Sequence, residues 1–249
     1  MKKYVTGRFS FRTDIGKVRS TNEDQALATM NAFGDVLLLI CDGMGGRNKG
    51  DYASYLAKEF ILDAFSKKKK FNHKTLTISW LRNVVRAANK KIYEQSLADP
   101  QCSGMGTTLT IAIISKNDLI VGQIGDSRWY CLLNDKFVLL TEDQTEVMRL
   151  YKTHQITYEQ MLTHPDRHII TNALGCCPSA NIMINCFPYI DQTLLLCSDG
   201  LYNNVPESNI ENILKCDDST SQKVNQLIAT ANANGGSDNI GVVLWEANK

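Results

Sequence analysis

Between residues 107 and 141 the chain passes through four strand-length apolar segments, at 108–114, 119–124, 129–133 and 137–140. Too little sequence separates them for anything but tight turns. Asn117-Asp118 and Asn134-Asp135 supply the turn chemistry, so the stretch reads as an antiparallel meander. Parallel winding needs a crossover of a dozen or more residues between strands and is disfavoured here. Further apolar runs at 36–41, 182–187, 193–197 and 240–245 add strands. Helical periodicity covers roughly 50–66, 76–97, 141–151, 206–214 and 220–234, with Pro206 at a first helical position. Runs of strands separated by helix pairs predict an α+β layered domain with helices on the outer faces of its sheets. No repeat, low-complexity linker or proline-rich hinge divides residues 1–249, so one domain is expected. Residues 143–172 are more polar and less regular than their surroundings, which suits a flap over a site.

A hydrophobic content of 43% over 249 residues is ample for a core. The 27 basic and 26 acidic residues leave a net charge of +1, so no global attraction to nucleic acid or to an anionic membrane is expected. Lys67 to Lys70 read as a solvated helix end. No apolar stretch approaches the roughly 20 residues of a membrane span, and Met1 to Thr6 lack the apolar core of a secretory signal. A cytoplasmic monomer is expected. The eight cysteines include no C-x-x-C pair and suit buried thiols of a reduced compartment. The four histidines are too dispersed for a zinc signature.

Function is carried by short islands of carboxylates. The apolar run 36–41 ends in Asp42-Gly43-Met44-Gly45-Gly46-Arg47, placing Asp42 at a sheet end where a carboxylate can meet a metal. Comparable islands are Asn22-Glu23-Asp24, Gly125-Asp126-Ser127-Arg128, Ser198-Asp199-Gly200-Leu201 and Ser237-Asp238-Asn239-Ile240. One Asp-Gly after a strand is more often a turn than a ligand. Five such islands, without accompanying histidine or paired cysteine, point to hard cations such as Mg²⁺ or Mn²⁺, and hence to phosphoryl transfer to water.

With Thr13 to Asp24 at one end and Ser237 to Ile240 at the other, and Gly104-Met105-Gly106-Thr107-Thr108-Leu109 between, these motifs stand in a characteristic order. In that order the chain resembles the metal-dependent protein serine/threonine phosphatases of type 2C, in their compact bacterial form. The resemblance covers nearly the whole chain. It implies a four-layer α-β-β-α sandwich of two antiparallel sheets flanked by helix pairs, with a two-metal centre at one end. It further implies that Asp42 bridges two Mn²⁺ or Mg²⁺ ions and that the Gly43 carbonyl ligates one of them. Asp199 and Asp238 would complete the other, Glu23 and Asp24 would hold bound waters, and Asp126 would take a third, weaker metal. Arg19 resembles the family's phosphate-binding arginine, whose planar guanidinium suits a phosphate dianion. The implied reaction is hydrolysis of phosphoserine or phosphothreonine by a metal-bridging hydroxide, with no covalent phosphoenzyme. The implied partners are phosphorylated proteins, chiefly a Ser/Thr protein kinase and its substrates.

Cys41 and Cys197, beside ligand carboxylates, read as bystanders. Gly104, Gly106, Thr107 and Thr108 read as framework of a central strand. Arg128 is left open between pairing a carboxylate near the site and supporting its turn. Two departures from the family stand out. Met44 occupies a position where eukaryotic members often carry a histidine, which leaves the proton donor open between a bound water and His164 or His168 of the flap. Asp143-Gln144-Thr145 lacks a histidine that many relatives carry there. The competing readings are a catalytically dead binding module, which would generally have lost metal carboxylates, a phosphatase of a small regulator, and a small-molecule phosphatase.

Overall fold

The computed structural model describes residues 5–45, 49–71 and 73–248. The amino-terminal Met1 to Tyr4, and Gly46 and Arg47 of the Asp-Gly island, lie outside the described residues. The elements begin with β1 (Gly7–Asp14), β2 (Asp24–Met30), β3 (Val36–Met44), α1 (Gly50–Lys67) and α2 (Lys74–Ala98). The meander follows as β4 (Gly106–Thr107), β5 (Leu109–Ser115), β6 (Asp118–Ile124), β7 (Arg128–Leu133) and β8 (Lys136–Leu139). The chain then forms α3 (Glu146–Lys152), α4 (Tyr158–Thr163), β9 (Met183–Pro188) and β10 (Thr193–Cys197). It ends with α5 (Asp199–Tyr202), α6 (Glu207–Lys215), α7 (Thr220–Ala233) and β11 (Ile240–Ala247).

Two antiparallel sheets result, ordered β1-β11-β10-β7-β8 and β2-β3-β5-β6-β9, with β4 added to β3. The meander divides between them, because β5 and β6 stay in one sheet while β7 and β8 cross to the other. Alternation along each central strand sorts the apolar side chains into layers. Leu38 and Ile40 of β3 meet Trp129, Leu196 and Trp245 between the sheets. Leu37 and Leu39, one residue out of phase, pack against Ile61 and Phe65 of α1 and Leu81 of α2. On the opposite side, Leu195 and Leu244 pack against Ile210 of α6 and Leu227 of α7. The order is helix, sheet, sheet, helix, the α+β sandwich expected. No helix among the described residues is long and apolar enough to cross a membrane.

Several boundaries differ from the sequence reading, each for a local reason. β1 and β2 lack an apolar run and escape the search for one; β1 alternates Phe9 and Phe11 with polar residues along a sheet edge. β3 continues past Cys41 to Met44, because Gly43 and Met44 pair with Thr107 and Gly106 of β4. Asp42 therefore lies within the strand rather than beyond it. The helix expected at 141–151 is only Glu146–Lys152, capped by the Thr145 side chain accepting from Met148 N at 3.3 Å. Pro206 caps α6 rather than starting it.

Candidate active site

One end of the sandwich gathers the end of β3, the β6–β7 turn, the end of β10 and the starts of β2 and β11. Register alone therefore brings Asp24, Asp42, Asp126, Asp199 and Asp238 to the same end. The bonds that hold them are specific. Asp42 N donates to Thr108 Oγ1 at 3.0 Å, and its carbonyl accepts from Thr108 N at 2.8 Å and Thr107 Oγ1 at 2.9 Å. Glu23 N donates to Asn239 Oδ1 at 2.9 Å, and Glu23 O accepts from Ser54 Oγ at 2.6 Å and Gly43 N at 3.1 Å. Gly43 admits no side chain, since a Cβ there would stand 2.3 Å from Gly50 O and 2.6 Å from Glu23 O.

These residues open onto a cleft of about 760 Å³ lined by Arg19, Glu23, Asp42, Asp126, Asp199 and Asp238, with Gly43 and Met44 on its wall. Asp24 is buried beneath it, its Oδ2 accepting from Ser198 Oγ at 2.6 Å and its Oδ1 without a hydrogen-bond partner. Arg19 Nη2 donates to Asp238 Oδ2 at 2.7 Å from a half-exposed position on the loop between β1 and β2. All the expected site residues are thus at this cleft, seven on its surface and Asp24 behind it. Of the flap histidines, His168 lines the cleft with Arg167 and Ile170, whereas His164 accepts from Asp166 N at 3.1 Å.

The electrostatics are those of crowded anions. Burial, and then the neighbouring carboxylates, hold Asp42 and Asp199 well above the usual carboxylate range. Burial raises Asp24 to about 7, and raises Asp126, with Asp143 nearby, to about 6. Among the described residues no three His, Cys, Asp or Glu side chains converge on one point close enough to hold a metal ion by themselves. The donor set is nonetheless entirely oxygen, with Gly43 on the cleft wall beside the carboxylates, and carries one orphaned buried carboxylate oxygen. That chemistry fits hard divalent cations, which complete their shells with water.

The family model described as protein phosphatase 2C matches residues 17–244. The chain belongs to this family. It is 38% identical over 239 residues to the serine/threonine phosphatase stp of Listeria welshimeri, covering 96% of this chain and 95% of that one. The protein phosphatase 2C fold recurs in the crystal structure of the serine/threonine phosphatase Stp1 from Staphylococcus aureus, with a TM-score of 0.93, 29% identity and coverage of 100% of this chain and 98% of that one. A further neighbour is the catalytic domain of the serine/threonine phosphatase PstP in complex with two manganese ions, at a TM-score of 0.85 and 31% identity, covering 98% of this chain and 100% of that one.

In this member of the protein phosphatase 2C family, the open question about Arg128 resolves toward a carboxylate. Its Nη2 donates to Asp143 Oδ2 at 2.7 Å and its Nε to Asp143 Oδ1 at 3.1 Å, while the guanidinium lies 3.7 Å from the centre of the Tyr202 ring. Gln144 accepts from Gly125 N at 3.0 Å and Asn172 Nδ2 at 2.8 Å, tying the segment 143–172 to the turn that bears Asp126. Asn239 has a role that sequence reasoning did not assign. Besides accepting from Glu23 N, its Nδ2 donates to Ile15 O and Thr21 O, each at 2.9 Å, and so shapes the loop carrying Arg19. Its place directly after Asp238 was the available signal.

Proposed function

We propose that this chain hydrolyses phosphoserine and phosphothreonine in proteins by direct attack of water, with no covalent phosphoenzyme. Family membership makes it a serine/threonine protein phosphatase; the assignment of roles within the cleft is our reading. The observation that carries it is the convergence of Asp42, Asp199, Asp238 and Asp126 with Arg19 on one open cleft. Asp42, the Gly43 carbonyl, Asp199 and Asp238 would hold two divalent cations, Mn²⁺ or Mg²⁺, with Glu23 and Asp24 ordering their waters and Asp126 taking a third, weaker ion. Bound there, the cations would make hydroxide available near neutral pH and neutralise phosphate charge. The manganese complex of the PstP neighbour supports this reading.

The chain's own residues account for the rest. Arg19, half-exposed and held by Asp238, would donate two hydrogen bonds to a phosphate once one arrives. Residues 143–172 would act as a flap within a single catalytic domain, reaching the cleft through Arg167 and His168. Expected partners are a Ser/Thr protein kinase and its phosphorylated targets, met in the cytoplasm by a monomeric enzyme.

A phosphothreonine peptide, offered to protein stripped with chelator and then given Mn²⁺ or Mg²⁺, tests the reading. Turnover should require the metal and vanish in Asp42→Asn and Asp199→Asn. Full turnover in chelator, or in both variants, would overturn it. Silence from folded, metal-loaded wild type would favour a binding module instead.

A further inference from the structure

Beside the cleft lies a second hollow of about 570 Å³, which shares Asp126, Arg167, His168 and Asn203 with it. It runs beneath the segment 143–167, so a polypeptide presenting a phosphorylated residue to the cleft would lay a neighbouring side chain there. One wall is apolar, formed by Leu139, Met148, Met161, Tyr158 and Leu162. Tyr158 and Leu162 are 52% and 55% exposed, so this wall offers apolar surface that a substrate side chain could cover.

The charged part of the lining is mainly anionic, with carboxylates at Asp126, Glu142, Asp143 and Glu207 against guanidinium groups at Arg128 and Arg167. Their commitments differ. Arg128 is held by Asp143 and stacked on Tyr202, so neither member of that pair is available to a ligand. Glu142 pairs with Lys152 at the rim. Arg167 and His168 stand on the boundary with the cleft, on the side where a phosphate would lie. Asp126 is buried, 7% exposed, and belongs to the carboxylates of the cleft, which leaves Glu207: 56% exposed, 3.9 Å from Arg128 Nη1, and accepting a hydrogen bond from Tyr130 Oη at 3.1 Å. An apolar wall leading to a carboxylate matches a long aliphatic stem with a cationic head.

We propose that this hollow receives a lysine or arginine side chain of the substrate protein, within a few residues of its phosphoserine or phosphothreonine, and that Glu207 selects the charge. The proposal rests on the phosphatase reading above and makes Glu207 a specificity-determining residue. It holds no part in the bond-breaking step.

The test uses phosphothreonine peptides of one parent sequence in which each position within three residues of the phosphothreonine is in turn arginine, norleucine, alanine or glutamate. At one position or more, kcat/KM should run arginine over norleucine by about threefold, as for an exposed ion pair, and norleucine over alanine by about tenfold through buried methylenes. Glu207→Gln keeps the acceptor for Tyr130 and should bring the arginine-to-norleucine ratio to about one, while the norleucine-to-alanine ratio stands. Leu162→Ser should do the converse. Equal rates for all four residues at every position, or an arginine preference unchanged in Glu207→Gln, would overturn the proposal. Wild-type turnover of p-nitrophenyl phosphate separates the two readings: its presence with no peptide preference sinks the docking site alone, and its absence sinks the phosphatase.

Discussion

Asp24 and Asp42 stand directly opposite one another in the ladder between β2 and β3, two carboxylates where an antiparallel sheet ordinarily tolerates no like pair. With Asp24 lifted to about 7 and Asp126 to about 6 by burial, the folded protein retains protons that the unfolded chain, with carboxylates near about 4, has already released. Their contribution to stability is therefore fully present below about pH 4 and lost as pH rises toward about 7. Thermal melts in chelator should fall between pH 5 and 7.5, and Mn²⁺ should raise the midpoint most at the upper end, where protons no longer compete. A midpoint in chelator that rises through this window would contradict the assignment.

Relieving that repulsion should separate stability from activity. Asn at position 24 removes one charge and still offers an oxygen to Ser198 Oγ, which now donates to Asp24 Oδ2 at 2.6 Å. Asp24→Asn should raise the melting midpoint of the chelated protein by about 2–4 °C. Turnover at saturating Mn²⁺ should drop about tenfold, the usual cost of losing a group that orients a metal site. Equal loss of both would mark Asp24 as structural only.

A positioning residue can be tested at the base of the 143–172 segment. Arg128→Ala would leave the Asp143 carboxylate, now 13% exposed, without its bidentate partner and remove the cation from the Tyr202 ring. We expect a destabilisation of about 2 kcal/mol, between surface and fully buried ion pairs. The Mn²⁺ concentration for half-maximal turnover should shift for Arg128→Ala but hardly for Arg128→Lys. A purely structural role would move the melt in both variants and the metal dependence in neither.

The fold was legible where apolar runs are continuous and turns are short. Residues 36–41, 108–114 and 194–197 are buried on both faces, so their sequences need no alternation to be recognised. β1 and β2 escaped because a sheet-edge strand such as Arg8-Phe9-Ser10-Phe11 mixes polarity in the way a loop does. The site was legible for a different reason. Asp42, Asp199 and Asp238 announce themselves as carboxylates beside apolar runs, and the structure gathers all three on one cleft. Asn239, Gln144 and Thr108 did not, because hydrogen bonds between residues as much as 224 positions apart, such as Asn239 to Ile15, leave no periodic trace. Likewise, the crossing of the meander from one sheet to the other depends on long-range pairing of β7 with β10, which local turn chemistry does not specify.

Close approach of backbone explains Gly200 and makes it a sharp test of how Asp199 and Asp238 are set relative to one another. A Cβ at this position would fall 1.9 Å from Asn239 O, between the start of α5 and the start of β11. Gly200→Ala must push those two segments apart, at a cost of about 2–3 kcal/mol. If the two flanking carboxylates share the metal, the Mn²⁺ requirement should rise about tenfold with kcat at saturation largely kept. An unchanged metal requirement in a destabilised variant would show that they do not act together.

Cys41 and Cys197 each adjoin a carboxylate of the cleft, and a thiolate nucleophile is the chemical alternative to attack by water. Both side chains are fully buried, and burial, reinforced at Cys41 by Asp24 and Asp42, pushes both thiols far above their ordinary range. A thiolate at neutral pH would need the opposite environment, a nearby cation on an exposed sulfur. Cys41→Ser and Cys197→Ser should each cost about 1–3 kcal/mol, because a hydroxyl replaces a thiol in an apolar layer. Turnover of the phosphothreonine peptide at saturating Mn²⁺ should stay within about twofold of wild type in the folded fraction. Complete loss of turnover with Mn²⁺ binding intact, in either variant, would make that cysteine the nucleophile and replace direct attack with a two-step reaction through a phosphocysteine, detectable by trapping with ³²P-labelled substrate.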